Sequence, residues 1–152
     1  MLKLNNLSCS FDSFNTNFNI EIAHTGIIGV VGRSGSGKST LLNLIAGFIK
    51  PQSGEIFYQN SFLNDLEPSQ RDLSILFQNY NNFDHLNVFE NVILGIDPQM
   101  KKTPSNYKIT RDILKKLSLD IDIDTPVNLL SGGEQQRVSI ARCLIRNKSM
   151  LL

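Results

Sequence analysis

Gly32-Arg33-Ser34-Gly35-Ser36-Gly37-Lys38-Ser39 is the stretch on which the reading of this chain turns. It fits G-x-x-x-x-G-K-[ST], a loop whose backbone N–H groups curl around a β-phosphate. The loop requires a strand before it and a helix after it. Gly26-Ile27-Ile28-Gly29-Val30-Val31 is a continuous apolar run, which predicts a strand buried on both faces of a mainly parallel sheet. Leu41, Leu42, Leu44 and Ile45 then recur at helical spacing, and Lys50-Pro51-Gln52-Ser53-Gly54 closes the helix. A glycine-rich turn that happens to precede a lysine has no need of that context. Gly32, Ser34, Gly35, Gly37 and Thr40 are therefore candidate phosphate contacts. Lys38 would neutralise the β and γ oxygens, and Ser39 would ligate Mg²⁺ through its hydroxyl. The loop specifies a nucleoside triphosphate and leaves kinases and GTPases open.

Working outward, Leu2-Leu4 and Phe18-Ile20-Ile22 alternate as half-exposed antiparallel strands do. Ile56–Tyr58 and Leu73–Phe77 are the next strand candidates. Beyond Gln78 the texture changes. Asn87-Val88-Phe89-Glu90 starts a helix with capping-box spacing, carrying Val92, Ile93 and Leu94. A second helix is predicted from Thr110, with Ile113, Leu114 and Leu117 on one face. The chain thus divides into a P-loop core with a β segment (1–78), a helical insert (79–130) and a last segment (131–152) that begins with a helix.

That helix opens on Leu130-Ser131-Gly132-Gly133-Glu134-Gln135-Gln136-Arg137, with Ser131 lying 93 residues beyond Lys38. Ser131 and Glu134 stand at N-cap and N3 spacing, and Gly132 and Gly133 strip side chains from the helix start. The product is an exposed, anion-attracting helix terminus. One triphosphate needs one cradle, so a second such terminus on a separate segment suggests ATP held by another copy.

The P-loop and this octet in this order resemble the P-loop and signature motif of the ABC ATPase family. The resemblance implies an α/β P-loop NTPase core with an N-terminal antiparallel β segment and a helical insert. It implies head-to-tail dimers in which ATP and Mg²⁺ lie between the P-loop of one copy and Ser131, Gly132, Gly133 and Glu134 of the other. Ser74-Ile75-Leu76-Phe77-Gln78 is similar to the family's Q-loop, with Gln78 as a further Mg²⁺ and ATP contact. Phe11 stands where the family places an aromatic that stacks on adenine, with Phe14 as a rival. Tyr80–Val88 would face a transmembrane permease subunit.

Met1-Leu2-Lys3-Leu4, Leu41–Phe48, Leu76-Phe77-Gln78, Asn82-Phe83, His85-Leu86, Leu94–Pro98 and Ala141–Leu144 extend the resemblance to the ATP-binding subunits of bacterial thiamine importers. These imply a cytoplasmic location at the inner face of the membrane and an indirect periplasmic or extracellular solute-binding partner. Importers of other small solutes share several of these stretches. Arg33 and Asn79-Tyr80 depart from the pattern without removing a phosphate ligand. Met150-Leu151-Leu152 corresponds to the start of the Walker B strand. The family's following aspartate, its catalytic glutamate and its switch histidine have no counterpart in these 152 residues. No catalytic residue is therefore assigned, and the chain is expected to be truncated before the Walker B motif, to turn over little ATP alone, and to leave apolar sheet faces uncovered. A fragment that binds nucleotide without hydrolysis is the alternative.

Composition bounds the rest. Net charge is +1, with no basic stripe to suggest nucleic acid, which disfavours an ABC ATPase of DNA repair or translation. No leader or apolar span is visible. The two cysteines, Cys9 and Cys143, form no metal-ligand spacing and read as buried thiols.

Overall fold

A computed structural model describes residues 1–11, 14–23, 25–77 and 82–152, with only the backbone of Phe11 and Phe14. The chain forms two compact units, Met1–Arg71 and Asp72–Leu152.

In the first unit, β1 (Leu2–Phe11), β2 (Phe14–Ile22), β3 (Ser53–Tyr58) and β4 (Ser61–Phe62) form an antiparallel sheet of order β2-β1-β3-β4. The expected antiparallel β segment is present. Leu2 and Leu4 are buried, and so are Leu7 and Cys9, which lie on the opposite phase of a strict two-residue period. A bulge between Leu4 and Leu7 reconciles them, with Asn6 at φ 42. The extra residue returns Leu7 to the buried face. Gly54 is the counterpart on β3: a Cβ there would stand 2.3 Å from the Asn6 carbonyl oxygen, so only glycine lets β3 close on the bulge.

α1 (Lys38–Ala46) buries Leu41, Leu44, Ile45 and Ala46. It stops at Gly47 in the left-handed region (φ 87), whose N–H reaches the carbonyls of Asn43 and Leu44. Arg71 then holds the helix end. Its Nη1 donates to the carbonyls of Leu44 (2.9 Å) and Ile45 (2.7 Å), and its Nε donates to that of Leu66 (3.1 Å). Arg71 is 2% exposed; burial lowers its pKa and Glu67 opposes that shift. A guanidinium beneath the last carbonyls of a helix adds to their hydrogen bonding and complements the helix dipole.

The strand expected over Gly26–Val31 is absent. Residues 27–31 pair with no strand among the described residues, and Ile27 and Val31 lie fully in solvent. A doubly buried strand takes its burial from strands on both edges and layers on both faces. Among the described residues the only sheet in this unit is the antiparallel one, and it does not include this segment.

In the second unit, β5 (Leu73–Ser74) and β6 (Met150–Leu151) pair in parallel. The ladder runs on through Leu152 N–H to the Ser74 carbonyl (2.9 Å) and Leu76 N–H to the Leu152 carbonyl (2.8 Å). The strand is thus shorter than the expected Leu73–Phe77. The α-helices of this unit's described residues are α2 (Val88–Ile93), α3 (Pro104–Lys116) and α4 (Gly132–Ile145). Their shared core includes Val88, Phe89, Val92, Ile93, Leu114, Val127, Val138 and Ala141, and Tyr107 stacks on Phe89 at 4.5 Å. α3 begins six residues before the expected Thr110, because Thr103 caps it by accepting from Asn106 N–H and Pro104 takes the first helical position. Thr110 sits inside the helix, fully buried.

Candidate functional site

The P-loop terminates in a helix start with no side-chain cap. Gly37 is the N-cap residue of α1 at φ 88, and no side chain accepts from the first turn. The N–H groups there are left for a ligand. Gly35 also has a positive φ (77). At Gly32 a Cβ would stand 2.6 Å from the Ser36 hydroxyl, so a side chain there would make that serine turn away. Lys38 Nζ folds back to donate to the carbonyls of Gly32 (2.9 Å) and Arg33 (2.8 Å), and the Ser36 N–H closes the turn on the Arg33 carbonyl (3.2 Å). The lysine thus ties the loop back on itself through these two carbonyls. Ser34, Gly35 and Ser39 are exposed, and Thr40 is half-buried. Ser39 stands in the first turn of α1.

In the second unit, α4 begins with the expected capping box. Glu134 accepts from the Ser131 N–H (2.8 Å) and from the Ser131 hydroxyl (2.6 Å), while Ser131 Oγ receives a long bond from Glu134 N–H (3.4 Å). These bonds from Ser131 hold the Glu134 carboxyl below its ordinary range. Ser131, Gly132 and Gly133 are all exposed. A Cβ at Gly132 would meet nothing within 4 Å, and one at Gly133 only Arg137 Nη1 at 4.0 Å. Neither glycine has a positive φ. Glycine in a helix costs about 1 kcal/mol relative to alanine, and nothing inside the described chain requires it at either position.

The sequence reading missed a polar junction behind this terminus. Asn82 Nδ2 donates to the Gln135 carbonyl (2.9 Å), and the buried Ser139 hydroxyl donates to Asn82 Oδ1 (2.7 Å). Asn91, fully buried, accepts from the Phe83 N–H (2.9 Å) and donates to the carbonyls of Phe83, Leu86 and Asn87. Arg142 reaches Asn91 Oδ1 (3.3 Å) and lies 5.2 Å from the Phe83 ring centroid. A buried asparagine inside an otherwise apolar helix pattern was the available signal. A groove of about 440 Å³ lies beside this junction, lined by Phe77, Phe83, Leu94, Arg142, Cys143 and Arg146. Cys143 is half-buried rather than buried, and burial pushes its thiol pKa up, away from reactivity. Cys9 is buried, as expected.

Gln78 lies outside the described residues, as do Asn79 and Tyr80, and the side chain of Phe11 is likewise not described. Among the described residues no group of three or more His, Cys, Asp or Glu side chains could hold a metal, and no helix is long and apolar enough to cross a membrane.

The sequence profile of the ABC transporter family matches residues 15–152. The chain belongs to the ABC transporter family. The thiamine import ATP-binding protein ThiQ of Aliivibrio fischeri is 42% identical over 135 residues, which are 89% of this chain and 58% of that protein. ThiQ of Haemophilus influenzae is 40% identical over 152 residues, 100% of this chain and 71% of that one. The chain spans between about half and three-quarters of the length of these and similar relatives. Among solved structures, a dimeric ATP-binding cassette in a post-hydrolysis state, bound to ADP and Pi, superposes with a TM-score of 0.81 at 32% identity, covering 99% of this chain and 72% of that one. Another ATP-binding cassette of an ABC transporter gives a TM-score of 0.87 at 27% identity, covering 99% and 66%. The fold is that of an ABC ATPase cassette.

Proposed function

We propose that this chain is the ATP-binding, energy-coupling part of an ABC importer for thiamine. ATP and Mg²⁺ are held by Gly32, Ser34, Gly35, Gly37, Lys38, Ser39 and Thr40, with Gln78 as a second metal contact and Phe11 against adenine. The observation that carries this reading is the uncapped start of α1 at Gly37, with Lys38 folded onto the loop carbonyls beside it. When a triphosphate enters, Lys38 exchanges two carbonyls for charged phosphate oxygens, and each new bond is charge-assisted on both sides.

The signature terminus serves ATP held by another copy. Two glycines that nothing among the described residues requires, at an exposed helix start, support an occupant from outside. A permease subunit docks at residues 80–88 and the groove edged by Phe77 and Phe83, which are 40% and 41% exposed and flanked by Arg142 and Arg146. A solute-binding protein acts through that permease, and the chain works at the cytoplasmic face of the membrane. The substrate assignment follows the thiamine import relatives.

A second reading, nucleotide binding without turnover, draws on the unpaired, exposed segment 27–31. Titration with a fluorescent ATP analogue, sedimentation velocity with and without MgATP, and phosphate release separate the two. Binding with association and turnover supports the first reading. Binding and association without turnover supports the second. No MgATP binding overturns both. Thiamine-dependent stimulation of ATPase activity in vesicles carrying the cognate permease tests the solute.

A further inference from the structure

We propose that Asn82 is a positioning residue that locks the strap 82–86 to α4, so that the groove edge at Phe83 and the signature end of α4 move as one body. The inference rests on the reading that this terminus meets nucleotide held by another copy. Its basis is a two-point attachment that a single hydrogen bond would not supply. The Asn82 amide gives its N–H to the Gln135 carbonyl in the first turn of α4 and takes the Ser139 hydroxyl one turn later. Donor and acceptor of one planar amide therefore fix both the height and the rotation of the strap along the helix. Leucine has nearly the same shape and could make neither bond.

The attachment continues in both directions. The Gln135 side chain donates to the Leu130 carbonyl (3.0 Å), so the residue held by Asn82 itself pins the chain entering Ser131. On the other side, Phe83 follows Asn82 directly. Its N–H and carbonyl are both bonded by the Asn91 amide, and its ring is covered by Arg142 from the second half of α4. Strap, α2 and α4 are thereby joined by polar groups, of which Asn91 and Ser139 are fully buried. Buried, mutually satisfied polar networks hold one arrangement, because any slip leaves a donor or acceptor unpaired. An apolar contact at position 82 would tolerate sliding. The amide does not, and a push on Phe83 in the groove reaches Leu130 and Ser131 through Asn82 and Gln135.

The test compares wild type with Asn82→Leu, Ser139→Ala and Ser139→Thr in the whole chain. Hydrogen exchange followed by mass spectrometry reads three segments: the strap (83–86), the start of α4 (132–139), and α3 (104–116) as a control within the same unit. In Asn82→Leu and Ser139→Ala, exchange in the strap and in 132–139 rises together by about tenfold, α3 stays at wild-type rates, and Ser139→Thr restores protection. MgATP affinity at the P-loop is unchanged, while MgATP-dependent association of copies weakens by a similar factor. Increased exchange confined to the strap, with 132–139 unchanged, overturns the proposal, and so does a uniform rise that includes α3. If wild type binds MgATP without associating, the reading of the signature terminus fails. The exchange data then still decide whether Asn82 couples the two segments.

Discussion

Lys38 Nζ lies 2.9 Å from the Gly32 carbonyl oxygen, so the lysine of the P-loop closes the loop on itself across six residues. The bond predicts how the loop fails. Lys38→Ala removes the phosphate partner and the internal tie together, and MgATP affinity falls by about 100-fold, the loss of one strong charge-assisted contact. Lys38→Arg keeps the charge but cannot place one compact ammonium against both carbonyls, so it recovers little. Fluorescent-nucleotide titration checks both variants. Affinity within threefold of wild type in Lys38→Ala would remove the lysine from the site.

Arg71 supports the same loop from the far end of α1. Arg71→Ala leaves the carbonyls of Leu44, Ile45 and Leu66 without this donor in a site where Arg71 is 2% exposed. Losing hydrogen bonds from a buried charged group costs about 3 kcal/mol in all. Urea denaturation should show that loss, and Arg71→Lys should recover less than half of it, because one ammonium does not reproduce the fork. A change under 1 kcal/mol in Arg71→Ala contradicts the role.

Which parts were legible in the sequence follows from how local their causes are. The capping boxes at Asn87/Glu90 and Ser131/Glu134 close within four residues, so spacing alone located them. The start of α3 is equally local, and Thr103-Pro104 was there to be read. The β1 bulge was harder, because Asn6 makes sense only with Gly54 opposite it. Asn82 and Asn91 act on residues up to 57 positions away, so the linear pattern shows Asn91 only as a polar position within an apolar helix and says nothing of the groups it bonds. Residues 27–31 show the converse. Their apolar run reads as a buried strand, yet burial is a property of neighbours, and no strand among the described residues pairs with them.

Gly132 and Gly133 yield a prediction in which stability and association move in opposite directions. With no clash within 4 Å at Gly132 and only a 4.0 Å contact at Gly133, Gly132→Ala and Gly133→Ala should each stabilise α4 by about 0.5 kcal/mol. MgATP-dependent association should fall in both, since each methyl occupies the space offered to the other copy's nucleotide. Denaturant midpoints and sedimentation velocity give the two signs. Alanine variants that associate as wild type does would mean these glycines serve no external ligand.

The capping box also sets a pH dependence. The Glu134 pKa is depressed in the folded chain by the Ser131 hydroxyl and N–H, below an ordinary value of 4.5. A depressed carboxyl stabilises the fold above its unfolded pKa, and that contribution is lost as pH falls through the folded value. Protection of the first turn of α4 is therefore full at neutral pH and declines only below about 4.5. Glu134→Gln keeps part of the box and should flatten that decline. Exchange-mass spectrometry of residues 132–136 at several pH values, corrected for intrinsic rates, checks it. A decline centred above 4.5 would assign the effect to another group.

Residues 27–31 give the last prediction. Ile27 and Val31 present whole apolar side chains to solvent, and Ile28 and Val30 are about half exposed, on a backbone that pairs with no strand among the described residues. Unpaired N–H and carbonyl groups beside exposed apolar side chains make a template for adding a strand from another chain. Purified chain should bind a hydrophobic dye and form particles whose growth depends on concentration. Val31→Lys with Ile27→Thr should lower both, because charge and lost apolar area oppose strand addition, while MgATP affinity stays within about threefold because neither side chain supplies a phosphate contact. Light scattering, dye fluorescence and nucleotide titration on the same samples separate the effects. If scattering is unchanged while nucleotide binding is lost, the segment is part of the phosphate cradle itself, and its apolar side chains are not the source of association.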